Sequence, residues 1–248
     1  MNGLTAADYA DTGQWRLIVN IFPTGITAHL ENTIHTDLEP QLLFSTEWEE
    51  DADTLLRHIE NAVYDHPRVL DDFTARIIVH DRNTLFMPTA VMEENEGIDE
   101  IFYTTVFETD PADVMTDTFG DITALYSPTP GLKAFLSRTF PGAMVESALM
   151  RRVRRFRKED GKRIYISVRK GEADFLLFDG EEFLSGSTHC VNAPSDVAYH
   201  AVNIIDVCDL VPADVSVMIE GEENVGEVCS LLERIVASVN VNTENKRR

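Results

Sequence analysis

The strongest constraint on this chain is an order of elements that occurs twice, read from hydrophobic periodicity. From Arg163 to Arg169 the residues alternate, with Ile164, Ile166 and Val168 on one face and Tyr165, Ser167 and Arg169 on the other. That period of two is a strand. Gly171 turns the chain, and Ala173 to Phe178 returns as a second strand. Asp179-Gly180 supplies residues that accept the positive φ of a tight hairpin, so Glu182 to Ser187 is predicted as the third strand. Pro194 and Ser195 open a helix whose apolar residues Val197, Ala201, Ile204, Ile205 and Cys208 recur at three and four. Val215 to Ile219 is a short apolar strand, and a last helix is predicted through Val225, Val228, Leu231, Leu232, Ile235 and Val239.

The same β-β-β-α-β-α order begins the chain. Arg16 to Phe22, Ile26 to Glu31 and Gln41 to Thr46 are predicted strands, with Pro23-Thr24-Gly25 as the first turn. Asp53 starts a helix with Leu55, Leu56, Ile59, Ala62 and Val63 inward, and Arg76 to His80 follows as a strand after the loop at Pro67. The first copy then acquires extra elements. Thr84 to Pro88, Phe102 to Phe107 and Ile122 to Tyr126 are predicted strands, and Glu93 to Glu100 an acidic loop or short helix. Pro130 to Phe140 and Ser147 to Lys158 are predicted helices. Three antiparallel strands followed by α-β-α is the ribonuclease-H-like layout. Two in tandem, here 1–126 and 127–248, make the α/β, mixed-sheet fold of the actin-like ATPases.

Certain stretches also resemble a family. Thr84-Leu85-Phe86-Met87-Pro88 followed by Val91-Met92-Glu93-Glu94-Asn95, the turn Phe140-Pro141-Gly142-Ala143, the hairpin Arg163 to Phe178 with Phe183-Leu184, and Asp196-Val197-Ala198-Tyr199 occur in the family's order. Together they resemble the bacterial proteins grouped as domain of unknown function 3822. Met87 and Ser187-Thr188-His189 depart from that family's usual residues. The resemblance implies an actin-like fold, and within that superfamily the branch of pilus- and secretion-system assembly scaffolds. It implies no activity, because a fold does not fix a function.

Actin-like ATPases hold nucleotide phosphates with the turn between the first and second strands of each half, an acid there holding Mg²⁺ or its water. Here the first turn, Asn20-Ile21-Phe22-Pro23-Thr24-Gly25, has no acid, a bulky Phe22, and a proline without an N–H. The second, Val168-Arg169-Lys170-Gly171-Glu172, retains Arg169 and Lys170 as groups able to meet a phosphate, with Glu172 its sole acid. The candidate nucleotide contacts are therefore Thr24, Gly25, Arg169, Lys170 and Gly171. No catalytic residue is assigned, and ATP with Mg²⁺ is the one cofactor the fold would suggest. Nuclease chemistry needs a carboxylate in the middle of the first strand, and neither Leu17 to Ile21 nor Ile164 to Val168 has one. Walker-type, GxGxxG and GxSxG motifs are absent.

Charge narrows the partners. With 21 Lys and Arg against 43 Asp and Glu the net charge is −22, which repels phosphate backbones and anionic lipid. One basic island interrupts it. Arg151, Arg152, Arg154, Arg155, Arg157 and Lys158, with Lys162 and Arg163 beyond, are either a dock for an acidic partner or RNA, or the cationic end of a helix pairing with the protein's own acids. Arg151, Arg152, Arg154 and Arg155 are the candidate partner contacts.

Metal ligation is not expected. His80-Asp81, at a predicted strand end, is the most site-like histidine, against the plainer reading of a loop histidine near solvent. His189, Cys190 and His200 would need the intervening helix to bend. Cys190, Cys208 and Cys229 show no CxxC spacing and fit reduced thiols. Met1 to Gln14 lacks signal-peptide features, no apolar run reaches membrane-spanning length, and a cytoplasmic location is expected. The polar tail Asn240 to Arg248 is expected to fray. Three functions remain: a non-catalytic scaffold or adaptor for a protein partner, a nucleotide-binding switch or weak ATPase, and an RNA- or ribosome-associated accessory protein.

Overall fold

A computed structural model of the chain describes residues 12–51, 53–95, 97–221 and 224–242. The expectations for residues 1–11 and for the tail beyond Asn242 lie outside the described residues, whereas Asn240 and Val241, expected to fray, pair in a strand. The elements in chain order begin with β1 (Trp15–Phe22), β2 (Gly25–Asn32), β3 (Gln41–Glu47), α1 (Leu55–Asp65) and β4 (Thr74–Val79). The middle holds β5 (Leu85–Pro88), α2 (Thr89–Glu94), α3 (Ile98–Phe107), β6 (Met115–Phe119), β7 (Ile122–Tyr126), α4 (Leu132–Thr139) and β8 (Met144–Ser147). Then come α5 (Ala148–Phe156), β9 (Lys162–Arg169), β10 (Glu172–Asp179), β11 (Glu182–Cys190), α6 (Pro194–Val207), β12 (Ser216–Gly221), α7 (Val225–Leu232) and β13 (Ser238–Val241). No helix among the described residues is long and apolar enough to cross a membrane.

Two compact units result. One takes the chain up to Asp81 with Gly97–Asp117 and Tyr126–Ala148, the other Arg82–Glu96, Thr118–Leu125 and the chain from Leu149. Each is built on a five-stranded sheet, in the order β3-β2-β1-β4-β8 and β11-β10-β9-β12-β13. In both, the first strand pairs antiparallel with the second and parallel with the fourth, and the fourth pairs parallel with the fifth. The second and third strands pair antiparallel. The unit therefore occurs twice, as the periodicity predicts, with a fifth strand added to each copy.

In the first unit Leu17, Val19 and Ile21 of β1 alternate onto one face and pack with Ile59 and Val63 of α1 and Phe135 and Leu136 of α4. Gly25 is required by close packing, since a Cβ there would lie 2.8 Å from the carbonyl oxygen of Thr46 on the neighbouring strand. In the second unit Ile164, Ile166, Ala173, Phe175 and Leu177 meet Val197, Ala201 and Ile205 of α6 and Val228 and Leu232 of α7. Full burial of each valine, leucine, isoleucine or phenylalanine among them contributes about 1.5–3 kcal/mol. Asp196 fixes where α6 begins, because its carboxylate accepts from the N–H groups of Asn192 and Ala193 at 2.9 and 3.1 Å. On the sheet's other face Tyr165, Leu176 and Phe178 pack under Leu149, Met150, Val153 and Phe156 of α5. Only part of that face is apolar.

Three expectations are corrected. Phe102 to Phe107, predicted as a strand, is the C-terminal part of α3. Its β-branched and aromatic residues favour a strand locally, but Gly97 starts a helix and stacked turns set Tyr103 and Phe107 ring to ring at 4.9 Å. The last helix stops at Leu232, and Val239 lies in β13, where Val217 is its partner across a parallel pair. Ser147, predicted to begin a helix, closes β8, and the helix starts at Ala148.

Candidate functional site

The β1–β2 turn is closed by its own neighbours. Phe22 pairs with Gly25 across a two-residue turn of Pro23 and Thr24. Trp48 covers that turn, its backbone N–H donating to the Thr24 carbonyl at 3.0 Å and its indole N–H to the Pro23 carbonyl at 2.9 Å. The Phe22 ring stacks on His80, centroids 4.1 Å apart. His80 is thus buried rather than a loop histidine near solvent, and so is Asp81. The Asp81 carboxylate accepts from the Ser127 N–H at 2.8 Å and from the Tyr103 hydroxyl at 3.3 Å. Burial and the neighbouring carboxylate push the Tyr103 phenol well above its ordinary pKa. Asp81 accordingly positions chain segments within the first unit.

The β9–β10 turn consists of Lys170 and Gly171, with Gly171 at φ +74° and Arg169 opposite Glu172. The guanidinium of Arg169 is held by its own hairpin. It donates to both oxygens of Asp174 at 2.9 Å and to Glu172 at 3.0 Å. Asp174 is 1% exposed and also accepts from Arg152 at 2.5 Å and from the Thr188 hydroxyl at 2.7 Å. Arg152 reaches Ser167 at 3.1 Å and Glu220 at 3.7 Å, while Arg82 donates to Glu172 at 2.7 Å. Three buried acids thus meet three arginines on the polar end of the second sheet. Burial alone would lower the pKa of Arg152, but Asp174, then Tyr165 and Glu220, hold it above the ordinary arginine value. A phosphate approaching Arg169 has to compete with two carboxylates already in place.

Of the sequence candidates in this turn, Lys170 and Gly171 are exposed and Arg169 is engaged. The cleft in this unit lined by Arg169, Gly171 and Pro194 has a volume of about 80 Å³. Ligand pockets for small molecules run from about 300 Å³ upward. Every buried carboxylate of this network has a cation beside it, and no group of three or more His, Cys, Asp or Glu able to hold a metal ion occurs among the described residues.

The arginine island divides. Arg152 enters the network, and Arg163 donates to the carbonyls of Phe156, Gly161 and Gly180 at 2.7–2.9 Å, closing the end of α5. Arg154 donates to the Thr118 carbonyl at 3.3 Å and lies 5.7 Å from the Phe119 ring centre, and Arg157 pairs with Asp121 at 2.5 Å. That cation holds the Asp121 carboxyl below its usual pKa. Arg151 is half-buried and Arg155 exposed.

The expectation that His189 and His200 need a bent helix to meet is corrected. His189 and His200 stack with centroids 4.1 Å apart and planes within 12°, and no bend is needed, because α6 begins at Pro194 and passes over the end of β11. Stacked rings do not converge their nitrogens on one point, so the pair is not a ligand set. Burial, then His200, lowers the pKa of His189.

With both sheets and their turns defined, the sequence matches, over residues 8–239, the family described as protein of unknown function, DUF3822. The chain belongs to that family. A comparison with curated proteins gives no match. Among solved structures it is similar to a Bacteroides thetaiotaomicron protein with actin-like ATPase fold and unknown function. The TM-score is 0.80 at 17% identity, covering 99% of this chain and 96% of that one. It is also similar to the cytoplasmic domain of EpsL, an inner membrane component of the type II secretion system of Vibrio cholerae. There the TM-score is 0.50 at 9% identity, covering 93% and 86%. The fold of this DUF3822 member is therefore actin-like, and its two matching sheets are the duplicated domain.

Proposed function

We propose that this protein is a non-catalytic scaffold or adaptor that uses the actin-like fold to bind another protein. The observation that carries this reading is the state of Arg169. The one turn that keeps cations able to grip a phosphate has its guanidinium tied to Asp174 and Glu172 inside the same hairpin. The β1–β2 turn, covered by Trp48 and lacking an acid, adds to it. Phosphoryl transfer on such a fold depends on metal-held charge neutralisation, commonly worth several kcal/mol. The likeness to EpsL, a component of a secretion assembly, agrees with an assembly role. Free Cys190, Cys208 and Cys229 suit a reducing cytoplasm.

A nucleotide-dependent switch is the second reading, favoured by the exposed Lys170 beside Gly171. Affinity purification of tagged protein from its native cell separates the two. The scaffold reading expects a partner in stoichiometric yield that stays bound when ATP and Mg²⁺ are added or chelated. Recovery of the protein alone, or release of the partner by ATP, would overturn it.

A further inference from the structure

We propose that the outward face of α3 docks a segment of a partner protein in which apolar residues are flanked by lysine or arginine. This rests on the scaffold reading and adds to it a surface and a chemistry. Beyond the acids Asp99 and Glu100 at its start, helix α3 carries apolar residues toward both the core and the surface. Tyr103 is fully buried on its inner side, whereas Ile101, Phe102 and Val106 are 63%, 47% and 50% exposed. At 100° per residue these three share one arc with Thr105 among them. The Thr105 hydroxyl donates to the Ile101 carbonyl at 2.6 Å, which leaves little polarity on that arc. A helix apolar on both faces is ordinarily covered on both. A single exposed leucine or valine would need no explanation, but an aromatic between two aliphatics on one arc is the form of an anchor surface.

Charge selects the occupant. The C-terminal end of α3 carries the negative pole of the helix, and no basic residue stands in its last turn. Instead Glu108 closes it, in left-handed conformation at φ +53°, and Asp110 follows. No lysine, arginine or histidine stands between Arg82 and Lys133 in the sequence. The chain thus offers no cation of its own from that stretch to a helix end that favours one. A second copy would bring a body of charge −22 and the same negative pole against this one. An anionic membrane is repelled for the same reason. A basic, amphipathic segment of another protein satisfies both the apolar arc and the pole.

The test is selection of a phage-displayed random peptide library on the intact protein, counter-screened on the double variant Ile101→Ser, Phe102→Ser. Both residues are exposed, so the variant should keep the parent's circular dichroism and thermal midpoint. The expected result is enrichment of peptides with spaced apolar residues and net positive charge. Their synthetic forms should bind about tenfold or more weaker to the variant, and more weakly as salt rises. Neutral or acidic winners, equal binding to both proteins, or no enrichment would overturn the proposal. So would concentration-dependent self-association, or binding to phosphatidylserine vesicles, that the double variant abolishes. A native partner that co-purifies equally with wild type and variant would refute this surface and leave the scaffold reading standing.

Discussion

Replacing Asp174 with alanine should be among the most damaging single changes to the second unit. The carboxylate is 1% exposed and accepts from Arg152, Arg169 and Thr188. Without it Arg169 retains Glu172, whereas Arg152 retains the Ser167 hydroxyl at 3.1 Å and Glu220 at 3.7 Å, and both guanidinium groups keep most of their desolvation cost. Removing one partner of a buried ion pair costs about 3–5 kcal/mol. At roughly 2–4 °C per kcal/mol for a chain of this size, the thermal midpoint should fall by about 6–20 °C. Thr188→Val removes one hydrogen bond to the same carboxylate and should cost about 1 kcal/mol. The assay is urea and thermal unfolding of wild type, both single variants and the Arg152→Met, Asp174→Leu pair. The double variant removes the Arg152 guanidinium together with its carboxylate and leaves only Glu220 without its cation, so it should be no less stable than Asp174→Ala. An Asp174→Ala cost no greater than that of Thr188→Val, or a double variant less stable than Asp174→Ala, would refute this.

Two further outcomes concern the buried Tyr165 hydroxyl and the half-buried His189 ring. The Tyr165 hydroxyl is buried beside the Glu220 carboxylate with no well-formed hydrogen bond among the described residues, and burial raises its pKa, so Tyr165→Phe should be close to neutral. A loss of more than about 2 kcal/mol in unfolding would show that the phenol is satisfied after all. His189 has its folded-state pKa lowered, so the unfolded chain binds its proton more readily. Its contribution to stability is present above pH 6.5 and is lost as pH falls below that. The stability of wild type relative to His189→Gln should therefore decline between neutral pH and the start of carboxylate titration, and an unchanged difference there would refute the assignment.

Much of the fold was legible because strands with one face on a core must alternate, as in Ile164, Ile166 and Val168. What escaped was decided at longer range. β8 and β13 are four residues each, too short to show a period, and each is held by a parallel neighbour far away in sequence. In α3, Phe102 to Phe107 is rich in strand-forming residues, and the burial of Tyr103 against Asp81 that helps hold it helical is a contact distant in sequence. The pairing of Arg169 with Glu172 was available in principle, since residues flanking a two-residue turn face each other. The contribution of Arg152, from a helix before the hairpin, was not. The His189–His200 stack depends on how α6 crosses the end of β11, which no local pattern encodes.

The central claim is that the phosphate-gripping turn of the second unit is closed by its own carboxylates. Calorimetric titration of the intact protein with ATP and Mg²⁺ tests it most directly. No saturable heat is expected at nucleotide concentrations up to about 1 mM, the upper end of ordinary substrate affinities. Saturable binding that disappears in Lys170→Ala or Arg169→Ala would contradict it.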